Sequence, residues 1–279
     1  MPFTLSHPAA VLPFLRHGRA RGPFVACALV AGSMAPDVPY FADSLVHGAF
    51  GYGTATHRLW AVPTLDVAIA AVLAAGWHGL LREPLAALLP EPWGAAVDEL
   101  TRRRRSGVRP PDVGWFALSA CLGAATHVGW DSFTHHDRAG VRLLPVLNET
   151  VAGQPLHHWL QYGGSAVALV WLAGWAVATT RRATASKGID GSGAGRRRLR
   201  LSARARSGAL ALTAAAAAVG AVHRTARWAD LHGPAASPAD LVPTVCFGAG
   251  TGLAVGLALY AAAAQVLRTR DADPAPTGK

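Results

Sequence analysis

The stretch Gly123-Ala-Ala-Thr-His-Val-Gly-Trp-Asp-Ser-Phe-Thr-His-His-Asp137 carries His127, Asp131 and His135 at positions i, i+4 and i+8. On a continuous helix these side chains stack along one face. Imidazole nitrogen and carboxylate oxygen are the donors that hold a divalent ion such as zinc or manganese. A helix offering N, O and N donors one turn apart makes half of a metal site. The competing reading is a polar stripe where an apolar helix meets water.

Three further motifs supply the other half. Thr4-Leu-Ser-His7 opens a helix, Gly32-Ser-Met-Ala-Pro-Asp37 puts a carboxylate just past a helix end, and Thr56-His57-Arg58 puts an imidazole just before an apolar run. His7, Asp37, His57, His127, Asp131 and His135 are therefore the candidate metal ligands. Four separated segments give a ligand set reach and leave positions open for water, as a catalytic ion requires. Asp37 and Asp131 are the candidate catalytic carboxylates, as ligand or base, and Arg58 could neutralise developing charge. Each has a plainer alternative: His7 as a helix-start residue bonded to backbone, Asp37 capping its own turn, Arg58 snorkelling at an interface. His157 and His158 are adjacent, so on a helix they point about 100° apart and do not easily share an ion.

The elements that must position these groups are apolar. Of 279 residues, 51% are hydrophobic and only 15% charged, with a mean hydropathy of +0.26; soluble domains usually carry about 25% charged residues. Runs at 61–81, 163–180, 207–223 and 241–267 approach the roughly 20 apolar residues a bilayer helix needs, with a shorter run at 114–130. Much of this apolarity is Ala and Gly, so a soluble Ala-rich bundle is the alternative. The expected fold is all-α: a multi-helix integral membrane bundle of about five spanning helices plus short N-terminal helices. Ser6 reads as the N-cap of a helix running to about Arg16, and a second helix at 22–34 ends at Pro36 and Pro39. The expected organisation is a motif-bearing region at 1–162, membrane helices at 163–267 with an Arg-rich, flexible loop at 181–206, and a disordered tail at 268–279.

Net charge is +10, and Arg102 to Arg105, Arg181, Arg182 and Arg196 to Arg206 flank apolar runs. Positive-inside flanks explain this placement better than nucleic-acid binding does. Segments 82–112 and 181–206 are then expected in the cytoplasm, and five alternating spans place residues 1–60 and 131–162 together on the outer side of a cell membrane. Cys27, Cys121 and Cys246 are far apart, odd in number and without a C-x-x-C pair, so they read as buried apolar side chains. The N-terminus lacks the pattern of a cleaved signal peptide.

Met-Pro-Phe-Thr-Leu-Ser-His, Gly-Ser-Met-Ala-Pro-Asp-Val-Pro-Tyr-Phe, Thr-His-Arg and Thr-His-Val-Gly-Trp-Asp-Ser-Phe-Thr-His together resemble the bacterial DUF4184 family of membrane proteins, over roughly residues 1–160. The order His, Pro-Asp, Thr-His, His-x-x-x-Asp is more distantly similar to the YdjM-like inner-membrane proteins, assigned as metal-dependent hydrolases. Those in turn resemble the helical zinc phospholipase C and S1/P1 nuclease architecture. The resemblance implies that His7, Asp37, His57, His127 and Asp131 occupy the family's polar motif positions. The chain departs from the YdjM-like pattern at Arg58, where a small Ser is usual, and at His135-His136-Asp137, where a Gly commonly follows the Thr. The expected cofactor is a divalent metal, zinc first, with manganese or magnesium as alternatives. The expected partners are the lipid bilayer and an amphiphilic or lipid-linked substrate, with no nucleic acid. A non-catalytic scaffold or transporter-like bundle is the second functional reading, with Asp66 and His78 as a proton or ion path.

Overall fold

The structure, a computed structural model, describes residues 3–102, 110–186, 198–232 and 238–272. Helices dominate, and strands among the described residues are confined to two short hairpins. The chain forms two compact units: Met1–Ala74 with Arg103–Thr179, and Ala75–Arg102 with Thr180–Lys279.

The first unit opens with a departure from expectation. Residues Thr4–Phe14 form a 3-10 helix, not an α-helix reaching Arg16. Pro8 and Pro13 remove two backbone donors and so break the α-helical ladder. Ser6 does not cap the segment but donates its hydroxyl to the Phe3 carbonyl at 2.7 Å. A tight antiparallel turn follows, β1 (Leu15–Arg16) against β2 (Arg19–Ala20), with Arg16 paired to Arg19. His17 and Gly18 both take positive φ there, 51° and 79°, the backbone that a two-residue hairpin loop demands.

Helix α1 (Ala26–Met34) ends where Pro36 interrupts it, and Asp37 closes the 3-10 turn Ala35–Asp37 that leads into α2 (Val38–Ala42). Helix α3 (Tyr52–Thr56) is one turn long, and α4 (Leu65–Gly76) starts eight residues after His57. The long α7 (Pro110–Thr134) packs beside α1. Small residues make this approach close. A Cβ on Gly32 would collide with the Ala120 carbonyl, and one on Gly123 with the Leu29 carbonyl and the Ser33 amide. Ala28, Ala31, Ala35, Ala70 and Ala120 form the buried cluster between α1, α4 and α7. After α8 (Ala139–Leu143) and the hairpin β3 (Thr150–Val151) with β4 (Gln154–Pro155), helix α9 (Leu156–Ser186) runs antiparallel to α7. Leu122 and Leu172 join one cluster, Trp130 lies over Gly164, and Gln161 meets His135.

In the second unit α4 continues through a π turn at Trp77–Leu81 into α5 (Arg82–Leu88), followed by α6 (Trp93–Thr101). Arg82 is buried against Asp98 and Glu83, and Asp98 also accepts from Arg102 at 2.7 Å. Helices α10 (Ala203–His232) and α11 (Pro238–Ala272) pack through Gly220, Gly248 and Gly252, where a Cβ would strike the facing backbone. The expected arginine run at 103–105 and the middle of the expected flexible loop, 187–197, lie outside the described residues; of that loop, 181–186 belong to α9 and 203–206 to α10. Of the expected tail, residues 268–272 continue α11 and 273–279 lie outside the described residues.

Among the described residues, four helices are long and apolar enough to cross a membrane: Leu65–Leu88, Leu156–Ala185, Ala203–Leu231 and Leu241–Arg268. The expected run 114–130 lies inside α7, which has 25 residues but is not one of the four. Ser119, His127 and Asp131 dilute its apolarity on the face buried against protein.

Candidate metal centre

The C-terminal half of α7, the Pro-fixed turn after α1 and the end of α3 converge on one point. Ligand atoms of Asp37, His57, His127 and Asp131 all lie within 4.8 Å of one another, and all four residues are buried. His57 Nε2 stands 3.5 Å from Asp37 Oδ1 and 3.3 Å from Asp131 Oδ2. His127 Nε2 stands 3.4 Å from Asp37 Oδ1 and 3.6 Å from Asp131 Oδ2.

The imidazoles are aimed from behind. His127 Nδ1 lies 2.7 Å from the Ser33 carbonyl and His57 Nδ1 lies 2.7 Å from the Gly53 carbonyl. A carbonyl only accepts, so each Nδ1 carries a proton and each Nε2 is turned into the centre. This is the carbonyl-to-histidine arrangement that orients metal ligands. The carboxylates are oriented likewise. The Thr4 hydroxyl donates to Asp37 Oδ2, while the Thr56 hydroxyl donates to the Pro36 carbonyl at 2.7 Å and ties α3 to the Asp37 turn.

Two buried atoms facing the centre, Asp37 Oδ1 and His127 Nε2, have no hydrogen-bond partner, and neither has Asp131 Oδ1 on the side toward His7. Buried polar groups are normally satisfied, so their convergence fits a cation as the missing partner. Two imidazole nitrogens with two carboxylates suit zinc or manganese in type and number.

Residues 1–262 match the family model described as Domain of unknown function (DUF4184). The chain belongs to the DUF4184 family. The match extends well past residue 160, so the C-terminal helices belong to the DUF4184 domain too. No curated protein and no solved structure matches the chain.

In this DUF4184 chain the other expected site residues take different places. His7 lies beside the four, its ring stacked on His127 at 3.7 Å and its Nε2 3.7 Å from Asp131 Oδ1. His135 lies at the edge of the group, its Nδ1 3.8 Å from Asp131 Oδ2. Its Nδ1 is 3.3 Å from the Asp131 carbonyl and 3.1 Å from the Thr134 hydroxyl, and its Nε2 is 3.0 Å from the Gln161 amide nitrogen. Burial pushes its pKa down to about 4, leaving it neutral at pH 7. Arg58 is exposed, next to His57 in sequence but outside the group of four. His157 and His158 bind separate partners, the Leu147 carbonyl and the Gln154 side chain.

Sequence reasoning missed the residues that hold the ligands. Thr4 and Thr56 stand inside the quoted motifs without a role assigned to them, and the Ser33 and Gly53 carbonyls leave no trace in residue type. Tyr40 was also missed. Its ring lies 5.7 Å from His57, over Gly53, where a Cβ would strike it. Burial and the nearby Asp37 charge push its phenol up to about 12, so it stays protonated.

Proposed function

We propose that this protein is a multi-pass cell-membrane protein that holds a divalent ion, zinc first, between Asp37, His57, His127 and Asp131, and hydrolyses a phosphoester on an amphiphilic or lipid-linked substrate. The observation that carries the reading is the convergence of four buried ligand atoms within 4.8 Å, with Asp37 Oδ1 and His127 Nε2 having no hydrogen-bond partner. An ion bound there supplies Lewis acidity and a water with a pKa near neutrality. The chain's residues supply the rest. Thr4 orients Asp37, and Ser33 and Gly53 orient the imidazoles. Asp37 or Asp131 would ligate the ion or serve as base toward the attacking water, with His7 Nε2 3.7 Å from Asp131 Oδ1. Arg58, exposed beside His57, offers a guanidinium to an anionic group of the substrate.

An amphiphilic substrate is favoured by the surface around His57. Leu45, Val46, Phe50, Tyr52, Leu59 and Trp60 are all exposed on the short segment that carries it, just before α4. The YdjM-like motif order supports the hydrolase reading. The arginine-rich segments support a cytoplasmic position for 82–112 and 181–206, with the centre on the outer side.

One observation favours the non-catalytic, transporter-like alternative. Asp66 is fully buried at the start of a candidate span, and neither carboxyl oxygen has a hydrogen-bond partner. A turnover screen separates the two. Zinc-loaded protein should release phosphate from phosphomonoester and lipid-phosphoester substrates, and His127→Ala with Asp131→Ala should abolish it. Metal binding with no turnover on either class would reject the hydrolase.

A further inference from the structure

Residues Phe3 to Leu15 contain no Asp, Glu, Lys or Arg, and neither do residues Gly22 to Pro36. Between them sit Arg16, His17, Arg19 and Arg21, all exposed. The first apolar limb leaves the metal centre at His7 and descends along α1 and α9. Val11, Leu12 and Leu15 pack with Leu29, Leu122, Leu172 and Trp175. Phe14 meets Phe24, and Phe24 meets Trp115 near the start of α7. The second limb returns beside α7: the Val25 amide donates to the Ser119 hydroxyl at 3.0 Å, and Ser33 reaches His127. The turn therefore lies at the opposite end of α7 from the centre.

Two pairs of tryptophans mark the same two levels. Trp115 and Trp130 are fifteen residues apart on α7, and Trp159 and Trp175 sixteen apart on α9, which amounts to about 22 and 24 Å of helix. Trp130 and Trp159 stand at the metal-centre end, Trp115 and Trp175 at the turn end. Hydrocarbon thickness is about 30 Å, and tryptophan favours both its borders. The 3-10 limb is non-α backbone at membrane depth, tolerated only where protein covers it. It is covered: Thr4, Ser6, His7, Ala9, Val11 and Leu12 are buried, and the residues left exposed, Leu5, Ala10 and Pro13, are apolar.

We infer that residues 3–37 form a re-entrant hairpin that crosses to the leaflet opposite the metal centre, where Arg16, Arg19 and Arg21 bind anionic phospholipid headgroups. The inference rests on the membrane reading of the long helices and not on hydrolase activity. Guanidinium pairs with phosphate oxygens, and the positive-inside bias places such a tip in the cytoplasm. The expectation that all of residues 1–60 lie on one side is thereby revised for the tip alone.

Two measurements test it. With Cys27, Cys121 and Cys246 replaced by Ala, Arg19→Cys and Leu59→Cys are labelled by an impermeant maleimide in intact and permeabilised cells, and zinc content is read on the same proteins. Leu59→Cys should label in intact cells and Arg19→Cys only after permeabilisation. Labelling of both from one side, with zinc retained, would overturn the crossing and leave the metal centre standing. The reverse pattern would keep the crossing but overturn the outer-side placement of the centre. In the native-cysteine background, native mass spectrometry after incubation with phosphatidylglycerol or phosphatidylcholine should show phosphatidylglycerol retained preferentially. Replacing Arg16, Arg19 and Arg21 by Gln should weaken that preference by about 5-fold per arginine. Equal retention by both proteins, or displacement of the lipid by millimolar inorganic phosphate, would overturn the headgroup assignment.

Discussion

His127 and Ser33 are joined by a 2.7 Å hydrogen bond from the imidazole Nδ1–H to the backbone carbonyl, and this bond links helix packing to metal chemistry. It exists because Gly32 and Gly123 let α1 and α7 approach until a Cβ on either would strike backbone. Lost at either glycine, the approach fails and the His127 Nε2 no longer points at Asp37.

Gly123→Val should therefore lower thermal stability and metal content together. Overpacking a close contact costs about 1–3 kcal/mol or more, here set against backbone that has no rotamer to yield. Gly129→Ala, on the same helix with open space around it, is the control and should change neither. Unchanged melting and metal content in Gly123→Val would separate the packing from the site.

Thr4→Ala removes the hydroxyl that donates to Asp37 Oδ2. Loss of such a supporting bond typically weakens metal binding by about 10- to 100-fold. Thr4→Ser should restore it, since only the hydroxyl is needed. A zinc titration against a competing chelator reads the difference, and equal affinities in all three proteins would remove Thr4 from the centre.

His135 sets a pH dependence of stability. Its pKa falls from 6.5 to about 4 because burial disfavours the charged ring. Between those values the unfolded chain binds a proton that the folded chain refuses, so stability declines as pH drops from 6.5 toward 4. Metal-free His135→Gln should show a shallower loss of melting temperature over that window, while retaining the contact with Gln161. An identical slope in both proteins would contradict the assignment.

The fold class was legible because composition and long apolar runs leave few alternatives to helices, and the DUF4184 motifs already marked Asp37, His57, His127 and Asp131. His135, expected on the face of His127 and Asp131 as a ligand or as a supporting residue, stands outside the group of four; Thr134, the Asp131 carbonyl and Gln161 from α9 engage both its ring nitrogens, contacts that i+8 spacing does not encode. Pro8 reads as a helix-start signal, but Pro13 five residues later makes an α ladder to Arg16 untenable and the segment is a 3-10 helix. The fifth span was expected from 114–130, and only α7's buried polar face explains why that helix is less apolar than the four that qualify. The orienting carbonyls of Ser33 and Gly53 are backbone atoms, common to every residue, so no sequence pattern could single them out.

The most direct test is metal stoichiometry by elemental analysis of protein purified without chelators, wild type beside Asp131→Asn. Asn keeps the size and most hydrogen bonding of Asp131 but removes a negative charge that offsets a divalent ion. About one zinc-class ion per wild-type chain is expected, with occupancy falling about 10-fold or more in the variant at matched zinc and unchanged helical content. A wild-type chain without bound metal, or equal occupancy in the two proteins, would contradict a metal centre built on Asp37, His57, His127 and Asp131.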